Sequence, residues 1–470
     1  MTRTLLAVSL ATLLAAPSAF AAETKASPAM LQSAAALRDQ ALKDDTGWKV
    51  VESLTTEVGQ RLAGSEADAR AVEWAKAKFK ALGFDKVWTQ PVTFPKWERR
   101  SEHGEVLGAH SQKLVLTALG GSPGGTVEGE VVRFDSLDAL KNAAPGSLAG
   151  KIAFVDVIMP KAKDGHGYGI GGAIRFGGPS LAAKAGAAAF VMRPAGTDWH
   201  RNPHTGMTRF EDGVKPIPAA ALSNNDADQL ARLAKLGTTR IRVALDCGFN
   251  GTYTSQNVIG EITGRSKPNE IVALGGHLDS WDLGTGAIDD GSGVAITMAA
   301  GHLIGQMKQR PARTIRVVAF ANEEQGLFGG RVYADSQKDK IRSSQMVMES
   351  DAGPGRVYGF GGQWSKNAEP AMQQVAELLK PLGIAYTPGK GNADSEMELM
   401  QGLGSAAGSF AHDASRYFDL HHTPDDTLDK IDPEDLRVDI AAYATLAYIA
   451  ADVDGSLGSG TLAPPEKKKR

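Results

Sequence analysis

Hydrophobic positions in the second half of the chain follow two alternating periods. Short apolar runs predict strands at 270–274, 314–320 and 345–348, and the middle run is apolar enough for the centre of a sheet. Between the first two runs, 291–304 has helical spacing, and Asp432 followed by proline predicts the cap and first turn of a last helix. Strands that alternate with helices indicate an α/β fold.

The pattern changes between residues 112 and 252. There, short apolar runs alternate with turns rich in glycine and proline, which predicts a compact β-rich domain with a few helices, one of them at 226–236. Residues 22–111 are mixed and include a run of helical spacing at 67–82. We therefore interpret 112–252 as a domain inserted into a main domain formed by 22–111 and 253–455.

The first 21 residues match a secretory signal peptide. Arg3 provides the charged start, 5–16 is an apolar run too short to span a bilayer, and Ala19-Phe-Ala21 fits a cleavage site between small residues. Residues 1–21 are expected to be removed, and the protein is expected to be periplasmic or secreted. At the other end, 456–470 has the glycine, proline and lysine content of a disordered tail.

Composition narrows the classes of function. The 470 residues are 42% hydrophobic and 22% charged, which suits a globular protein of two domains. A net charge of −3 gives no basic surface for nucleic acid, and no later run approaches the roughly 20 apolar residues of a membrane helix. The single Cys247 cannot form an internal disulfide, so stability must come from the core and from any bound metal.

Side chains that bind metals are grouped in five short segments. Three of these segments follow predicted strands: His277 with Asp279, Glu323 with Glu324, and Asp351. Because sites in open α/β sheets form beyond the carboxyl ends of strands, these residues are expected to meet. The other two segments are Asp289-Asp290-Gly-Ser-Gly and His421-His422-Thr-Pro-Asp-Asp426-Thr427.

Two histidines and three carboxylates are enough to hold two divalent cations. Imidazole and carboxylate suit zinc, and one carboxylate can bridge two ions. Two cations about 3.5–4 Å apart polarise a carbonyl group and activate water, but a base must still move the proton. Of the adjacent Glu323 and Glu324, one can bind metal while the other stays free. Asp279 is expected to accept the second N–H of His277.

Together these segments resemble the M28 family of co-catalytic zinc peptidases, and within it the carboxypeptidase Q subgroup. Arg61-Leu-Ala-Gly-Ser65 and Trp97-Glu-Arg-Arg match the family's N-terminal part, and 150–155 with 182–191 resemble a protease-associated (PA) domain. The resemblance implies a mixed-sheet α/β catalytic domain of the phosphorylase/hydrolase-like kind, with helices on both faces and an inserted β-rich PA domain.

The resemblance also implies two zinc ions per chain. His277 and Asp351 would bind one ion, Glu324 and His422 the other, and Asp289 would bridge them. The family often has a cis peptide bond after the residue that corresponds to Asp289.

The implied function is that of an exopeptidase. It would act as an aminopeptidase or dipeptidase and hydrolyse short peptides or dipeptides. Glu323 is the implied general base, and Asp279 is the residue that orients His277. The substrate's free N-terminus would lie near the metal pair, with walls formed by 391–395 and by Tyr417 and Phe418. Nucleic-acid and membrane partners are not expected, and a homodimer is an open expectation.

Three alternatives stay open. A carboxypeptidase would need a cation for the substrate carboxylate, and Arg416 is the candidate. A glutaminyl-cyclase-like enzyme on the same fold typically uses one zinc ion, and a non-catalytic binding protein with a PA domain would have lost its metal site. The intact ligand set argues against both of these.

Two further patterns receive less weight. The glycines of 167–172 match a dinucleotide-binding fingerprint, but no acidic partner follows at the usual spacing, so we interpret them as a surface loop. His200 and His204 lack a carboxylate partner and helical spacing, which argues against a second metal site there.

Overall fold

The computed structural model describes residues 23–458. The expected signal peptide 1–21 lies outside these residues, and so does the expected tail apart from 456–458. The α-helices are α1 (Pro28–Ala41), α2 (Thr46–Glu57), α3 (Glu66–Ala81), α4 (Leu137–Lys141), α5 (Tyr168–Lys184), α6 (Asn224–Leu236), α7 (Ser292–Gly305), α8 (Phe328–Gln337), α9 (Glu369–Leu379), α10 (Ser395–Gly402), α11 (Tyr417–Leu420) and α12 (Pro433–Asp452). The β-strands are β1 (Lys86–Val106), β2 (Gln112–Leu114), β3 (Leu116–Ala118), β4 (Gly125–Phe134), β5 (Ile152–Val155), β6 (Ala189–Met192), β7 (Ala219–Leu222), β8 (Arg240–Ile262), β9 (Lys267–His277), β10 (Arg313–Phe320), β11 (Ser344–Glu349), β12 (Val357–Gln363), β13 (Ala385–Thr387) and β14 (Ala407–His412).

A mixed sheet runs through the described residues in the order β13-β12-β14-β11-β9-β10-β8-β4-β5-β6-β7-β3. Strands β11, β9 and β10 are parallel, whereas β8 is antiparallel to β10, and β12 is antiparallel to β14. The predicted mixed α/β sheet is confirmed. The three strands predicted from the apolar runs are the neighbours β9, β10 and β11.

Side chains of the central strands alternate between two helical layers. On β10, Ile315 and Val317 lie in the core that α7 and α12 complete. Val318 and Phe320 belong to a second core that includes Tyr333 of α8. Since successive side chains of a strand point to opposite faces, helices cover both faces of the sheet, as the family resemblance implies.

Two long antiparallel strands connect the two halves of the sheet. β1 and β8 pair from Lys86 with Glu261 to Val106 with Ile241. The carboxyl half of β8 pairs with β10, and its amino half pairs with β4. The segment predicted as an inserted domain contains β2 to β7 and α4 to α6, with a core of its own around Phe190. β8 runs across residue 252 without a break, and the domain boundaries stay predictions.

The interpretation of 167–172 as a surface loop is wrong, because helix α5 begins there. A Cβ atom on Gly171 would lie 2.8 Å from the Cβ of Ala195, and one on Gly178 would lie 2.6 Å from the ring of Phe190. The glycines therefore let α5 lie close to β6 and the residues after it. This close approach outweighs the low helix propensity of glycine.

Candidate active site

Three neighbouring parallel strands bring metal-binding side chains to one edge of the sheet. His277 is the last residue of β9, Glu323 and Glu324 follow β10, and Asp351 follows β11. The carboxyl ends of these strands meet at this edge, which is where clefts form in open α/β sheets. The structure therefore brings together residues that are up to 74 positions apart in the chain, as His277 and Asp351 are.

Asp289 lies between two sets of candidate ligands. Its Oδ1 is 3.0 Å from His277 Nε2, which is also 3.5 Å from Asp351 Oδ1. Its Oδ2 is 3.0 Å from His422 Nε2, which is also 3.0 Å from Glu324 Oε2. One carboxylate thus faces two histidine–carboxylate pairs through separate oxygens. These five residues are the ones that the sequence predicts as metal ligands.

Backbone carbonyl groups determine which nitrogen of each imidazole faces the site. Nδ1 of His277 lies 3.0 Å from the carbonyl oxygen of Asp279, and Nδ1 of His422 lies 3.2 Å from that of Thr205. A carbonyl oxygen only accepts hydrogen bonds, so each Nδ1 carries a proton. Each Nε2 is consequently the nitrogen presented to the carboxylates, the arrangement usual for metal-binding histidines.

The Asp279 side chain makes different contacts from those expected. Its Oδ1 is 3.6 Å from His277 Nδ1, which is too long for a hydrogen bond, and its backbone oxygen accepts that proton instead. The carboxylate accepts from the amide of Glu323 at 3.0 Å and from the amide of Glu324 at 3.4 Å. Asp279 therefore holds both the His277 ring and the backbone of the glutamate pair.

The two adjacent glutamates have different surroundings. Glu324 Oε2 accepts a hydrogen bond from Trp281 Nε1 at 2.6 Å, while its buried Oε1 has no donor among the described residues. The Glu323 side chain lines a cavity, and no residue of 23–458 donates a hydrogen bond to it. Burial, followed by the negative charge of Asp351, raises the pKa of Glu323 well above its usual range. Burial also raises the pKa of Glu324 to about 7.

The turn before α7 orients Asp289. Its peptide bond to Asp290 is cis, as the family resemblance implies. The carboxylate of Asp426 accepts from the amide of Ile288 at 2.6 Å and from the amide of Asp289 at 3.3 Å. Asp290 Oδ2 accepts from the amide of His277 at 2.9 Å. Backbone amides thus occupy Asp426 and Asp290, and they leave the Asp289 carboxylate to face the two histidine pairs.

Both histidines of the adjacent pair lie at the site. The ring centroids of His421 and His422 are 3.5 Å apart, and His421 Nε2 is 3.2 Å from Asp289 Oδ2. Nδ1 of His421 lies 2.9 Å from Nε2 of His204, which the sequence analysis had set aside. His422 fits the second ligand pair better, because its Nε2 reaches Glu324 as well as Asp289. Burial by itself lowers the pKa of His422. The neighbouring carboxylates of Glu324 and Asp289 outweigh this effect and raise the pKa of His422 to about 9.

A cavity of about 870 Å³ opens over the ligand set. Its lining includes Asp394, Tyr417 and Phe418, from the two segments where pocket walls were expected. Arg416, the cation considered for a substrate carboxylate, is exposed and does not belong to this lining.

The segment 112–252 contributes a wall that the sequence analysis missed. Tyr168, Arg175, Met207 and Arg209 all line the cavity. The hydrophobic pattern of this segment predicts its strands and helices, but it carries no signal about which of them faces a site formed by residues 277–422.

The comparisons with known proteins agree with this geometry. The model of peptidase family M28 matches residues 257–446. Carboxypeptidase Q of Bos taurus is 34% identical over 410 residues, which are 86% of this chain and 85% of that protein. The chain belongs to peptidase family M28. This M28 peptidase is therefore a hydrolase of peptide bonds.

Two solved structures relate the fold of this M28 peptidase to others. A peptidase M28 precursor from Shewanella amazonensis is 44% identical with a TM-score of 0.89, over 93% of this chain and 99% of that one. A zinc aminopeptidase from Bacillus subtilis shares the fold at 19% identity, with a TM-score of 0.63 over 88% of this chain and 98% of that one.

Proposed function

We propose that this M28 peptidase is a di-zinc exopeptidase that acts on short peptides or dipeptides. One observation carries the proposal: the two oxygens of Asp289 each lie 3.0 Å from a different imidazole, and each imidazole faces a further carboxylate. In two-metal hydrolases a pair of ions about 3.5–4 Å apart acts on one substrate, and a carboxylate between two ligand pairs suits that spacing.

The donor set fits zinc, which binds imidazole nitrogen and carboxylate oxygen. His277 and Asp351 would hold one ion, His422 and Glu324 the other, and Asp289 both. The buried Oε1 of Glu324, which has no donor among the described residues, supports this fit, as does the name of the zinc aminopeptidase with the same fold. When bound, the ions supply Lewis acidity for the scissile carbonyl group and for the attacking water.

Glu323 is the proposed general base. Its carboxylate lines the cavity beside the ligand set, where it would take a proton from the attacking water and pass it to the leaving nitrogen. Because burial raises the pKa of Glu323, the side chain holds that proton more readily than an exposed glutamate would. Asp279 fixes the backbone of Glu323 through its carboxylate.

Exopeptidase action is supported by two of the similar proteins, carboxypeptidase Q and the zinc aminopeptidase. Carboxypeptidases and aminopeptidases both cleave at chain ends. The cavity lining contains carboxylates such as Asp394 and Glu398 and the buried arginine Arg175. Side chains of both signs offer partners for a free amino group and a free carboxyl group.

Export from the cytoplasm belongs to the same proposal. No helix within residues 23–458 is long and apolar enough to cross a bilayer. N-terminal sequencing of the mature protein tests cleavage: a start at residue 22 is expected, and a retained Met1 would contradict it. The homodimer stays a prediction, which the molar mass in solution would check.

Paired glutamine substitutions at the two glutamates test the mechanism. Wild type is expected to bind two zinc ions and to hydrolyse dipeptides with a free amino group. Glu323→Gln should keep both ions and lose about 10²–10⁴-fold in kcat, because an amide cannot accept the proton.

The matched control is Glu324→Gln, which should lose zinc along with activity. Metal content and dipeptide turnover are measured on the same samples. Full activity of Glu323→Gln would eliminate it as the base. A wild-type protein that holds two zinc ions but cleaves no dipeptide would overturn the proposed substrate class.

A further inference from the structure

Arg175 of α5 is a buried cation in the wall of the cavity, and it is 4% exposed. Its Nη1 donates to the carbonyl oxygen of Thr205 at 3.4 Å, while its Nε is buried without an acceptor in the described part of the chain. The rings of Tyr168 and Phe176 lie 5.3 and 5.1 Å from its guanidinium carbon. Within residues 23–458, no carboxylate forms an ion pair with it.

The other arginines buried to this degree among the described residues are better satisfied. Arg193 and Arg313 form ion pairs with aspartate or glutamate, and Arg61 donates to four backbone carbonyl oxygens. Arg175 has one long hydrogen bond to a backbone carbonyl group and a side-chain hydrogen bond with Tyr168, but no carboxylate partner among residues 23–458. Burying a charge without a partner costs free energy. The presence of the unpaired Arg175 guanidinium group in a cavity wall therefore indicates that a bound anion supplies the missing partner.

The position of Arg175 relative to the proposed zinc ligands suggests which anion this is. The carbonyl oxygen of Thr205 contacts both Arg175 Nη1, at 3.4 Å, and His422 Nδ1, at 3.2 Å. The guanidinium group is thus two contacts away from a metal-binding imidazole. In a dipeptide, the carboxyl carbon is three bonds from the scissile carbonyl carbon, roughly 3–4 Å away. A cation that binds this carboxylate must therefore lie in the wall of the cavity over the ligand set, and Arg175 lines the same cavity as Asp289 and Glu323.

We propose that Arg175 binds the C-terminal carboxylate of the substrate, so that the enzyme favours peptides with a single residue beyond the scissile bond. The proposal rests on the proposed function, because it needs a peptide bond held at the ligand set. The guanidinium fork can donate two parallel hydrogen bonds to a carboxylate, and Arg175 lines the cavity where the substrate would lie. Each additional residue would carry the carboxylate about 3.3–3.6 Å further from the scissile bond.

Three substrates with the same first two residues and a free amino group test this selectivity: a dipeptide, its C-terminal amide, and a tripeptide. Wild type should prefer the dipeptide over the amide by about 10- to 100-fold in kcat/KM, as expected for hydrogen bonds to a charged group. Arg175→Met should lose a similar factor on the dipeptide and almost nothing on the amide. Its preference for dipeptide over tripeptide should shrink as well.

Two exposed arginines of the same cavity provide matched controls. Arg209→Met and Arg331→Met should keep the wild-type preference for the free carboxylate. If either loses the preference while Arg175→Met retains it, the assignment is wrong. Equal losses of Arg175→Met on dipeptide and amide would indicate a structural role and would also overturn it.

The two proposals fail in distinguishable ways. A wild-type enzyme that cleaves neither the dipeptide nor the amide would contradict both the proposed exopeptidase function and the carboxylate-binding role of Arg175. A wild-type enzyme that cleaves both substrates at the same rate would be consistent with the exopeptidase function but would contradict the proposed carboxylate site at Arg175. Arg175→Lys serves if Arg175→Met does not fold, because it keeps the charge and loses the fork: a loss confined to the dipeptide is expected, and no loss contradicts the proposal.

Discussion

Replacing Trp281 with phenylalanine would remove a hydrogen bond from the second proposed zinc site. The indole Nε1 donates to Glu324 Oε2 at 2.6 Å, and the side chain is 3% exposed. The ring packs so tightly on Gly120 that a Cβ atom there would lie 2.1 Å from it. Because Glu324 Oε1 already lacks a donor in the described chain, Trp281→Phe would leave this carboxylate without a hydrogen bond to hold it against His422.

Two independent magnitudes agree for this change. A hydrogen bond to a charged group contributes about 1.5–3 kcal/mol. Removing the outer partner of a metal ligand typically costs 10- to 100-fold in affinity, which corresponds to about 1.4–2.7 kcal/mol. We therefore expect Trp281→Phe to weaken zinc binding at the site of Glu324 by about 10- to 100-fold.

Trp97→Phe is a closely matched control. Trp97 is 0% exposed, and its Nε1 donates to the carbonyl oxygen of Ser122 at 2.9 Å. Its ring contacts that of Trp281 edge to face, with centroids 6.0 Å apart. The control thus loses a buried indole and one hydrogen bond from the same cluster, but it does not touch a proposed ligand.

The assay separates packing from metal binding. Zinc affinity is measured by competition with a chromophoric chelator, and the free energy of unfolding by urea titration of the metal-free proteins. Both variants should lose similar stability, whereas only Trp281→Phe should lose zinc affinity. Unchanged zinc affinity in Trp281→Phe, or the same loss in Trp97→Phe, would refute the reasoning.

Two further predictions concern stability. Burial lowers the pKa of His412 from 6.5 to about 4, so its stabilising contribution is complete above pH 6.5 and is lost as the pH falls through about 4. The difference in free energy of unfolding between wild type and His412→Gln, measured by urea titration, should decrease by about 3 kcal/mol from pH 7 to pH 4. A constant difference would contradict the lowered pKa of His412. A Cβ atom on Gly293 would lie 1.9 Å from the carbonyl oxygen of Ser350, whereas one on Gly402 meets nothing within 4 Å. Gly293→Ala should therefore destabilise by about 1–3 kcal/mol or more and Gly402→Ala should stabilise by up to about 1 kcal/mol, and similar effects of the two would argue against the packing described.

The proposed ligand set could be predicted from the sequence because the information for it is local. His277 and Asp351 each lie three positions beyond the end of an apolar run, and a run of this kind predicts a central strand. The rule that sites form beyond the carboxyl ends of strands then brings the residues together. The last helix was equally local: Asp432 caps α12 by accepting from the amide of Glu434 at 2.8 Å.

What the sequence could not provide depends on contacts between distant segments. Arg175 and Thr205 reach the site through the packing of α5 and the segment after β6, which no periodicity encodes. The role of the Asp279 carboxylate was missed for a similar reason. Its oxygens accept hydrogen bonds from the backbone amides of Glu323 and Glu324, which follow another strand. The glycines of 167–172 were misread because their reason is the close neighbour Ala195, and not a turn.

The paired strands β1 and β8 have a consequence for how far this enzyme can be divided. They form one ladder from residue 86 to residue 106 and from 261 back to 241, so the cut points for removing 112–252 fall inside or beside a continuous strand pair. A truncated catalytic half would leave the carboxyl half of β1 without its partner strand, exposing the buried Trp97 and Val106, and would lose the Thr205 carbonyl group beneath His422. The two halves are therefore not interchangeable parts: a chimera that swaps the inserted segment has to import the matching stretch of both strands.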